Sequence, residues 1–348
     1  MVQTDYIVIG LGIAAIAACE QLQRLGKSFV VIDSGNRTAT RVAGGVVNPV
    51  VLKRFTPVWK AREFLQHALP FYAALSKKLN VAFVEERDLL RAFASTEEQN
   101  NWTIAGDSPL LEPFLDTEII KNKNSALQAK HGLGKVLNAF RVDTTALLDA
   151  YSNYLENDSR LRNEVFDYNS LEVRDDVVQY KDIMAGKVIF AEGPAAVNNP
   201  FLKGDFLIPK KGEYIIVKAP TLKLKEIVKG PFFLIPLEND RYMAGATFAH
   251  GDYEFAVTEK GRKQLLKAVS AMIGCPFEVV DQLVGMRPTI KDRRPVLGSL
   301  DNENILFFNG LGTRGLLMAP LLSGWLTAYA ERGEKLPSEV DIRRFSNV

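Results

Sequence analysis

The first 33 residues of the chain contain the pattern that most restricts its fold. Residues 6–9 form a short apolar run, as expected of a strand buried on both faces of a parallel sheet. Residues 10–15 follow directly with two glycines, and an alanine-rich segment then continues to Gly26, a residue that often ends helices. A second apolar run, residues 28–32, ends in Asp33. This order predicts a strand, a glycine turn, a helix and a second strand.

The glycine turn and Asp33 have the spacing of a dinucleotide-binding site. Gly10 allows the tight turn, Gly12 lets the backbone approach a pyrophosphate, and Ala15 keeps the helix close to the strand. The N-terminus of the helix offers N–H groups and a positive dipole end to the phosphates. Asp33 follows Gly12 by 21 residues, where an acidic side chain accepts hydrogen bonds from a ribose diol. The pattern predicts a dinucleotide without separating FAD from NAD, and a plain βαβ unit is the alternative.

A second glycine motif lies near the C-terminus. Residues 305–309 predict a strand, residues 310–315 a glycine turn, and residues 316–330 a buried apolar helix. The remaining residues, 333–348, contain no apolar strand, so a second nucleotide-binding βαβ unit cannot close. The motif therefore predicts a lone helix N-terminus. Such a terminus suits a single developing negative charge, as on the N1–C2=O edge of a reduced flavin, and FAD is the expected dinucleotide.

The middle of the chain predicts a part richer in strands. Residues 42–49 form a glycine cluster, which either lets the backbone pass close to a flat ring system or is a simple loop. A strand at residues 187–191 runs into a small-residue turn, which indicates a return to the nucleotide-binding part. Residues 207–248 hold short strands separated by turns, typical of an antiparallel sheet. Helical periodicity is present at residues 59–79, 142–155 and 259–273.

These patterns predict an α/β chain of two domains, in agreement with a length of 348 residues. One is a Rossmann-like FAD-binding domain with a parallel sheet and helices, and the other is an α+β substrate domain with a large antiparallel sheet. The predicted FAD-binding domain is discontinuous and comprises residues 1–80, 138–205 and 285–348. The predicted substrate domain comprises residues 81–137 and 206–284.

Composition excludes several classes of protein. The 43 lysines and arginines nearly balance the 41 aspartates and glutamates, which argues against a strongly basic nucleic-acid platform. Two cysteines, Cys19 and Cys275, are too few for a disulfide framework or a zinc site, and no metal is predicted. No run approaches about 20 uncharged apolar residues, so we expect no membrane span and a cytoplasmic protein.

Five motifs together resemble a known family. They are Gly10 to Ala15, Asp33, Ala191-Glu192-Gly193, Gly285-Met286-Arg287-Pro288, and Gly310 to Gly315 followed by Ala319-Pro320. Over nearly the whole chain they resemble the D-amino acid oxidase superfamily of FAD enzymes, and within it the glycine oxidase and sarcosine oxidase branch. The C-terminal glycine run is also similar to the oxidase half of the bifunctional enzyme that completes 5-methylaminomethyl-2-thiouridine in tRNA; the resemblance does not include that enzyme's methyltransferase half.

The resemblance implies oxidation of a primary or secondary amine, usually one carrying a carboxylate, by hydride transfer to FAD. The imine then hydrolyses, and dioxygen reoxidises the flavin to give hydrogen peroxide. Arg287 matches the family arginine that pairs with the substrate carboxylate, a geometry that suits a guanidinium fork. Arg314 matches a second family arginine near the same site. For each arginine, an ordinary surface or domain-bridging ion pair is the alternative.

The chain departs from the family pattern at two points. Phe233 stands where glycine oxidases place a tyrosine that also holds the carboxylate. Neither cysteine stands where sarcosine oxidases attach FAD, so we expect non-covalent FAD. Hydride transfer from a neutral amine needs no strong protein base. Such a reaction does not require a histidine, and the chain's three histidines match no catalytic position of the family: His67, His131 and His250.

The candidate site residues follow from these motifs. The two catalytic candidates are Arg287 and Arg314. The candidate cofactor-binding residues come from the glycine turns, the glycine cluster, the strand ends and both arginines: Gly10, Gly12, Ile13, Ala14, Ala15, Asp33, Ser34, Gly44, Gly45, Val46, Leu171, Ala191, Gly193, Arg287, Gly310, Gly312, Thr313, Arg314, Gly315 and Leu316.

Several alternatives stay open at the level of sequence. The substrate is a small amine or amino acid, or a modified tRNA base oxidised by the same chemistry, which is the less favoured reading. The acceptor is dioxygen or another electron carrier, and a non-catalytic FAD-binding regulatory protein is a different class altogether. Three lysine-rich segments either touch RNA or, as we favour, are solvated faces: residues 121–130, 203–211 and 218–229. The oligomeric state is not indicated.

Overall fold

The computed structural model describes residues 1–35, 39–174, 177–249 and 251–345. Its helices are α1 (Ile13–Arg24), α2 (Ala61–Leu79), α3 (Thr96–Gly106), α4 (Thr144–Asn157), α5 (Glu259–Met272) and α6 (Gly315–Arg332). Its strands are β1 (Val2–Ile9), β2 (Phe29–Asp33), β3 (Val46–Val47), β4 (Val50–Val51), β5 (Thr56–Pro57), β6 (Val84–Glu85), β7 (Leu89–Ala92), β8 (Leu115–Ile120), β9 (Leu133–Val136), β10 (Phe140–Val142), β11 (Leu161–Asn163), β12 (Leu171–Val173), β13 (Val178–Tyr180), β14 (Ile183–Phe190), β15 (Lys210–Lys218), β16 (Ile227–Lys229), β17 (Phe233–Pro236), β18 (Arg241–Gly245), β19 (Glu278–Arg287), β20 (Val296–Gly298) and β21 (Ile305–Asn309).

The first sheet has eight strands with a parallel centre. Its order is β11-β2-β1-β14-β13-β12, and β21 pairs with β14 and β20. Three strands run parallel and end together, because Ile9 lies opposite Phe190 and Phe190 lies opposite Phe307. These side chains are almost fully buried, as the apolar runs predict for strands covered on both faces. The parallel sheet predicted from the N-terminal pattern is confirmed.

Helices α1 and α6 pack side by side against this sheet. Small residues bring them together: a Cβ added to Gly315 would lie 3.1 Å from Ile13 Cγ2, and one added to Gly324 would lie 3.7 Å from Gln21 Nε2. Most residues of α6 are buried despite Pro320 within the helix, as expected of an apolar helix without a polar face. The predicted helices at residues 59–79, 142–155 and 259–273 correspond to α2, α4 and α5.

The second sheet also has eight strands, in the order β19-β15-β18-β17-β16-β7-β9-β8. It is antiparallel except for the pair β16 and β7. Successive residues of β15 point to opposite faces. Ile215 and Val217 belong to a core cluster with Leu265 and Val269 of α5, whereas Tyr214 packs on the core of the other face. The antiparallel sheet predicted for residues 207–248 is confirmed.

The predicted division into domains remains a prediction. Strands of the first sheet come from residues 2–33, 161–190 and 296–309, and strands of the second come from residues 89–136 and 210–287. Within the described ranges, no helix combines the length and the apolar character needed to cross a membrane.

Gly134 on β9 tests the packing of the second sheet. A Cβ there would lie 2.5 Å from Trp102 Cε2 and 2.6 Å from Phe93 Cζ, and Trp102 is fully buried. Because these rings have no room to move, we expect Gly134→Ala to lower the free energy of unfolding by about 1–3 kcal/mol. Urea denaturation followed by fluorescence measures this change.

Gly324→Ala is the matched control, because the same methyl group is added where the nearest atom is 3.7 Å away inside α6. Removing a glycine from a helix interior should raise the free energy of unfolding by about 0.5–1 kcal/mol. Equal effects of the two substitutions would contradict the packing described around Trp102.

Candidate active site

A cavity of about 1170 Å³ lies between the carboxyl edge of the first sheet and one face of the second sheet. The edge is formed by the turns that follow β1, β14 and β21. The opposite wall includes Tyr214, Phe233, Ile235 and Arg287. Ligands of open parallel sheets bind at the carboxyl ends of the strands, so this is the expected location for a cofactor.

The first glycine turn forms one end of the cavity. Gly10 has a φ of +96°, and a Cβ there would lie 2.8 Å from the carbonyl oxygen of Ala191, so only glycine fits. The N-cap residue of α1, Gly12, has no side chain that could cap the helix. The Ile13 N–H donates instead to Thr40 Oγ1 at 3.1 Å. The helix N-terminus therefore faces the cavity with its backbone N–H groups and its positive dipole end.

Asp33 lies at the end of β2 beside this turn. Its carboxylate accepts hydrogen bonds from the N–H groups of Leu11 and Gly35, both at 2.9 Å. Burial is the largest influence and raises the pKa of Asp33, while the two hydrogen bonds and the charge of Arg41 oppose the rise. The carboxylate is thus held in place on the cavity wall.

Glu192 lines the cavity, although the sequence predicts no role for it beyond its place in the motif Ala191-Glu192-Gly193. Its carboxylate accepts a hydrogen bond from the Tyr168 hydroxyl and another from Asn199 Nδ2 at 2.7 Å. Burial raises its pKa. The adjacent carbonyl of Gly193 accepts from Asn309 Nδ2 at 2.8 Å, which ties the turn after β14 to the end of β21.

The C-terminal glycine turn forms the other side of the edge. Gly312 has a φ of +55°, and its N–H donates to the carbonyl of Pro288 at 2.8 Å. The side chain of the N-cap residue of α6, Arg314, makes no capping hydrogen bond, and Gly315 and Leu316 line the cavity. Two helix N-termini thus face one cavity, as the two glycine motifs predict.

Arg314 is buried at the start of α6. Its guanidinium donates to the carbonyl oxygens of Asn48 and Val50. Burial lowers its pKa to about 10. Among the described residues no carboxylate forms an ion pair with it, so its donors hold the C-terminal end of the glycine cluster and the start of β4.

The glycine cluster passes between the second sheet and β10. A Cβ on Gly44 would lie 2.4 Å from Ile235 Cδ1, and one on Gly45, whose φ is +78°, would lie 1.9 Å from the carbonyl oxygen of Val142. Both glycines and Val46 line the cavity. The backbone at Gly44 and Gly45 therefore lies so close to neighbouring protein atoms that a side chain would not fit.

Arg287 ends β19 on the opposite wall. Its guanidinium donates to the carbonyl oxygens of Lys211 at 3.4 Å and Thr247 at 3.2 Å, and lies 5.5 Å from the centre of the Phe248 ring. A Cβ on Gly212 would lie 2.1 Å from Nη2. In the described part of the chain no carboxylate forms an ion pair with Arg287, and the side chain lines the cavity.

The lysine-rich segments are only partly solvated. Lys203 and Lys223 have side chains 72% and 70% exposed. Lys211 is 1% exposed and pairs with Asp252 at 2.7 Å, and Lys229 lines the cavity. The interpretation of these segments as solvated faces is wrong for Lys211 and Lys229, because the alternation of strands turns one face of each inward.

Seventeen of the twenty predicted cofactor-binding residues line the cavity, and three do not: Ala15, Leu171 and Gly310. Ala15 is fully buried within α1, Leu171 packs in the core beside the first sheet, and a Cβ on Gly310 would point at Ile290. Their contact with a cofactor stays a prediction. Cys19 is buried in α1, and Cys275, like His67 and His131, lies outside the described cavity lining. His250 lies outside the described residues.

Substitution of Asp33 tests the nucleotide end of the cavity. We expect Asp33→Ala to weaken dinucleotide binding about 10- to 100-fold, because a charged acceptor for a ribose hydroxyl is lost. Asp33→Asn keeps one oxygen for the Leu11 N–H and should lose less. Fluorescence titration of the apoprotein measures both affinities. An affinity unchanged in Asp33→Ala would contradict the assignment of this carboxylate.

Comparison with known proteins agrees with this geometry. A family model described as FAD dependent oxidoreductase (DAO) matches residues 5–330. The glycine oxidase of Bacillus licheniformis is 23% identical over 336 residues, covering 91% of this chain and 90% of the relative. The tRNA 5-methylaminomethyl-2-thiouridine biosynthesis bifunctional protein MnmC of Marinobacter nauticus is 25% identical over 358 residues, covering 93% of this chain and 55% of the relative. The chain therefore spans about half the length of that bifunctional protein.

The fold agrees as well. The crystal structure of glycine oxidase from Bacillus cereus superposes with a TM-score of 0.78 at 19% identity, covering 95% of this chain and 96% of the other. The two helix N-termini that face the cavity, the Asp33 carboxylate and the glycine turns fit a bound flavin dinucleotide. Because the family model matches most of its length, the chain belongs to the FAD-dependent oxidoreductase family, and FAD is its cofactor.

Proposed function

We propose that the protein oxidises the C–N bond of an amine or amino acid, with hydrolysis of the imine product and dioxygen as the final acceptor, giving hydrogen peroxide. When bound, FAD supplies the acceptor for the hydride that leaves the carbon next to nitrogen. One observation carries the proposal: Arg287 lines the cavity with its guanidinium held by neutral carbonyls and, among the described residues, by no carboxylate.

The chain's own residues would hold FAD from two sides. We propose that the N-terminus of α1 with Gly10 and Gly12 holds the phosphates and that Asp33 accepts from the ribose. The N-terminus of α6, around Gly315, would lie at the ring and favour negative charge there. The cysteines lie outside the described cavity lining, which supports non-covalent FAD.

Arg287 would bind and orient the substrate. Its two carbonyl contacts and the Phe248 ring restrict the guanidinium, so little side-chain freedom is lost when a carboxylate binds. Phe233 and Ile235 form an apolar wall that excludes water from the reacting carbon. No histidine is part of the described cavity lining, in line with hydride transfer from an already neutral amine.

Anaerobic reduction of the bound flavin tests the proposal. We expect bleaching of the flavin absorbance by at least one compound from a panel of amino acids, N-methyl amino acids and simple amines, followed by hydrogen peroxide after admission of air. Bleaching without peroxide would replace dioxygen by another acceptor. Absence of bleaching by every amine would favour a non-catalytic FAD-binding protein.

A second candidate is the same oxidation carried out on a carboxymethylaminomethyl-type base in tRNA. The similarity to MnmC over 93% of the chain supports it, and so do exposed lysines such as Lys203 and Lys223. A modified tRNA included in the anaerobic panel separates the two candidates. Bleaching by tRNA but by no free amino acid would favour the tRNA base.

Substitution of Arg287 should separate carboxylate binding from the rest of the reaction. We expect Arg287→Ala to lower kcat/KM for an amino acid by the equivalent of about 2–5 kcal/mol, since the substrate carboxylate loses its partner. Arg287→Lys keeps the charge without the planar fork and should recover only part. FAD content and activity toward a carboxylate-free amine are the controls. An equal loss toward that amine, with lowered thermal stability, would favour a structural role for Arg287.

Gly212 should be required for the position of Arg287. We expect Gly212→Ala to displace the guanidinium, because the new Cβ would lie 2.1 Å from Nη2, while a flexible side-chain end absorbs the strain without unfolding. Affinity for a carboxylate ligand should fall at least tenfold, the scale of a lost charged hydrogen bond. In the Arg287→Ala background the same substitution should have no further effect on affinity. Additive losses would contradict the coupling.

A further inference from the structure

Lys229 is a second cation on the cavity wall formed by the second sheet. Its Nζ donates to the carbonyl oxygens of Gly230 at 3.1 Å and Pro231 at 2.8 Å, and lies 5.2 Å from the centre of the Phe233 ring. No carboxylate in the described ranges forms an ion pair with it. The ammonium is therefore held by neutral groups, which fix its position without cancelling its charge.

The charge of Glu98 acts on Lys229, but that carboxylate is already paired with Arg91. Arg91 donates to the carbonyls of Lys229 at 3.1 Å and Gly230 at 2.7 Å, and its own charge is matched by Glu98, at 2.9 Å. Burial, followed by the nearby Arg91, lowers the pKa of Lys229 to about 8, and the charge of Glu98 opposes this fall. An ammonium removed from water without an anionic partner is costly, so this position favours an anion that arrives with a ligand.

The register of the second sheet places Lys229 and Arg287 on the same wall of the cavity, at opposite ends of a row of five strands. Lys229 pairs with Phe233, Phe233 with Gly245, Gly245 with Tyr214, and Tyr214 with Leu283. Paired residues share a face of the sheet, and so does Arg287, four positions beyond Leu283 on β19. Four strand spacings of about 4.8 Å separate β16 from β19. The two cations thus border the same wall, with the rings of Phe233 and Tyr214 between them.

The acidic residues of the described cavity lining lie apart from Lys229 and Arg287. The acidic residues of the described lining, Asp33 and Glu192, belong to the nucleotide end, on the turns of the first sheet. The wall of the second sheet contributes Lys229 and Arg287. An anion that enters between Lys229 and the rings meets no carboxylate of that wall, and two separated cations match two separated anionic groups.

We propose that Lys229 binds a second anionic group of the substrate, so that the preferred substrate is an amine with one carboxylate held by Arg287 and another acidic group, a carboxylate or a phosphate ester, at a distance set by the separation of the two cations. This inference rests on the proposed function, because it takes the cavity as the substrate site. A lysine suits this task as a compact charge with one donor left beside its two carbonyl contacts. Lys229 would thereby determine specificity without taking part in hydride transfer.

Binding of unreactive acids to the FAD-loaded protein tests the proposal without turnover. Dissociation constants are measured from perturbation of the flavin spectrum for three matched series with alkyl chains of increasing length: monocarboxylates, α,ω-dicarboxylates and ω-phosphonocarboxylates. We expect one length at which a second acidic group tightens binding at least tenfold, on the scale of a charged hydrogen bond. Tighter binding of the dicarboxylates or of the phosphonocarboxylates shows whether the site at Lys229 prefers a carboxylate or a phosphate group.

Lys229→Met should abolish this preference and leave monocarboxylate binding within about twofold, since only the ammonium is removed. Lys223→Met is the matched control, because the same charge is lost from an exposed side chain, and it should change neither constant. FAD content and thermal unfolding check folding, and Lys229→Gln provides a second variant. A preference that persists in both Lys229 variants, or no preference at any length, overturns the inference.

The outcome also separates this inference from the proposed function. If an amine bleaches the flavin but the second acidic group has no effect, the proposed function stands and the role of Lys229 is wrong. If the preference depends on Lys229 but no amine bleaches the flavin, the anion site stands and the oxidation is wrong. No spectral perturbation by any acid would overturn the anion site.

Discussion

The site depends on three parallel strands that end together. Ile9, Phe190 and Phe307 lie opposite one another at the centre of the first sheet. The residue after each strand therefore enters a turn at the same edge of the sheet. The turns after β1 and β21 lead into helices α1 and α6. Because parallel strands direct their following segments to one side, two helix N-termini converge on one cavity. The glycines at these turns let the backbones approach one another.

Both arginines of the described cavity lining are held by backbone carbonyl oxygens. Arg314 donates to the carbonyls of Asn48 and Val50, and Arg287 donates to those of Lys211 and Thr247. Each guanidinium fastens a segment that is distant in sequence to the edge of the cavity. Carbonyl partners satisfy the donors but leave the positive charge in place, which suits a site for an anionic or electron-rich ligand.

Local patterns were sufficient to predict much of the fold. The apolar run before Gly10, the alanine-rich helix and Asp33 follow one another within a short segment, and β1, α1 and β2 form there. The apolar residues after the C-terminal glycine turn likewise predict a helix, and α6 forms there. In both places the spacing between residues that are close in sequence determines the structure.

Features that depend on contacts between distant parts of the chain could not be predicted from local sequence patterns. Lys229 stands in a lysine-rich segment that reads as a solvated face, yet its strand pairs with β17 and β7, which turn it toward the cavity. Thr40, which accepts from the Ile13 N–H, and Gly212, which makes room for Arg287, have no motif. Only contacts between segments far apart in the chain reveal these roles.

The late position of β21 in the chain has a consequence for how the protein is made. This strand pairs with β14 at the centre of the first sheet, and α6 after it packs on α1 near the opposite terminus. A nascent chain that has emerged only to residue 304 lacks a central strand and one wall of the flavin site. Contacts of such large sequence separation form slowly, so the cavity is completed only after β21 and α6 have been synthesised.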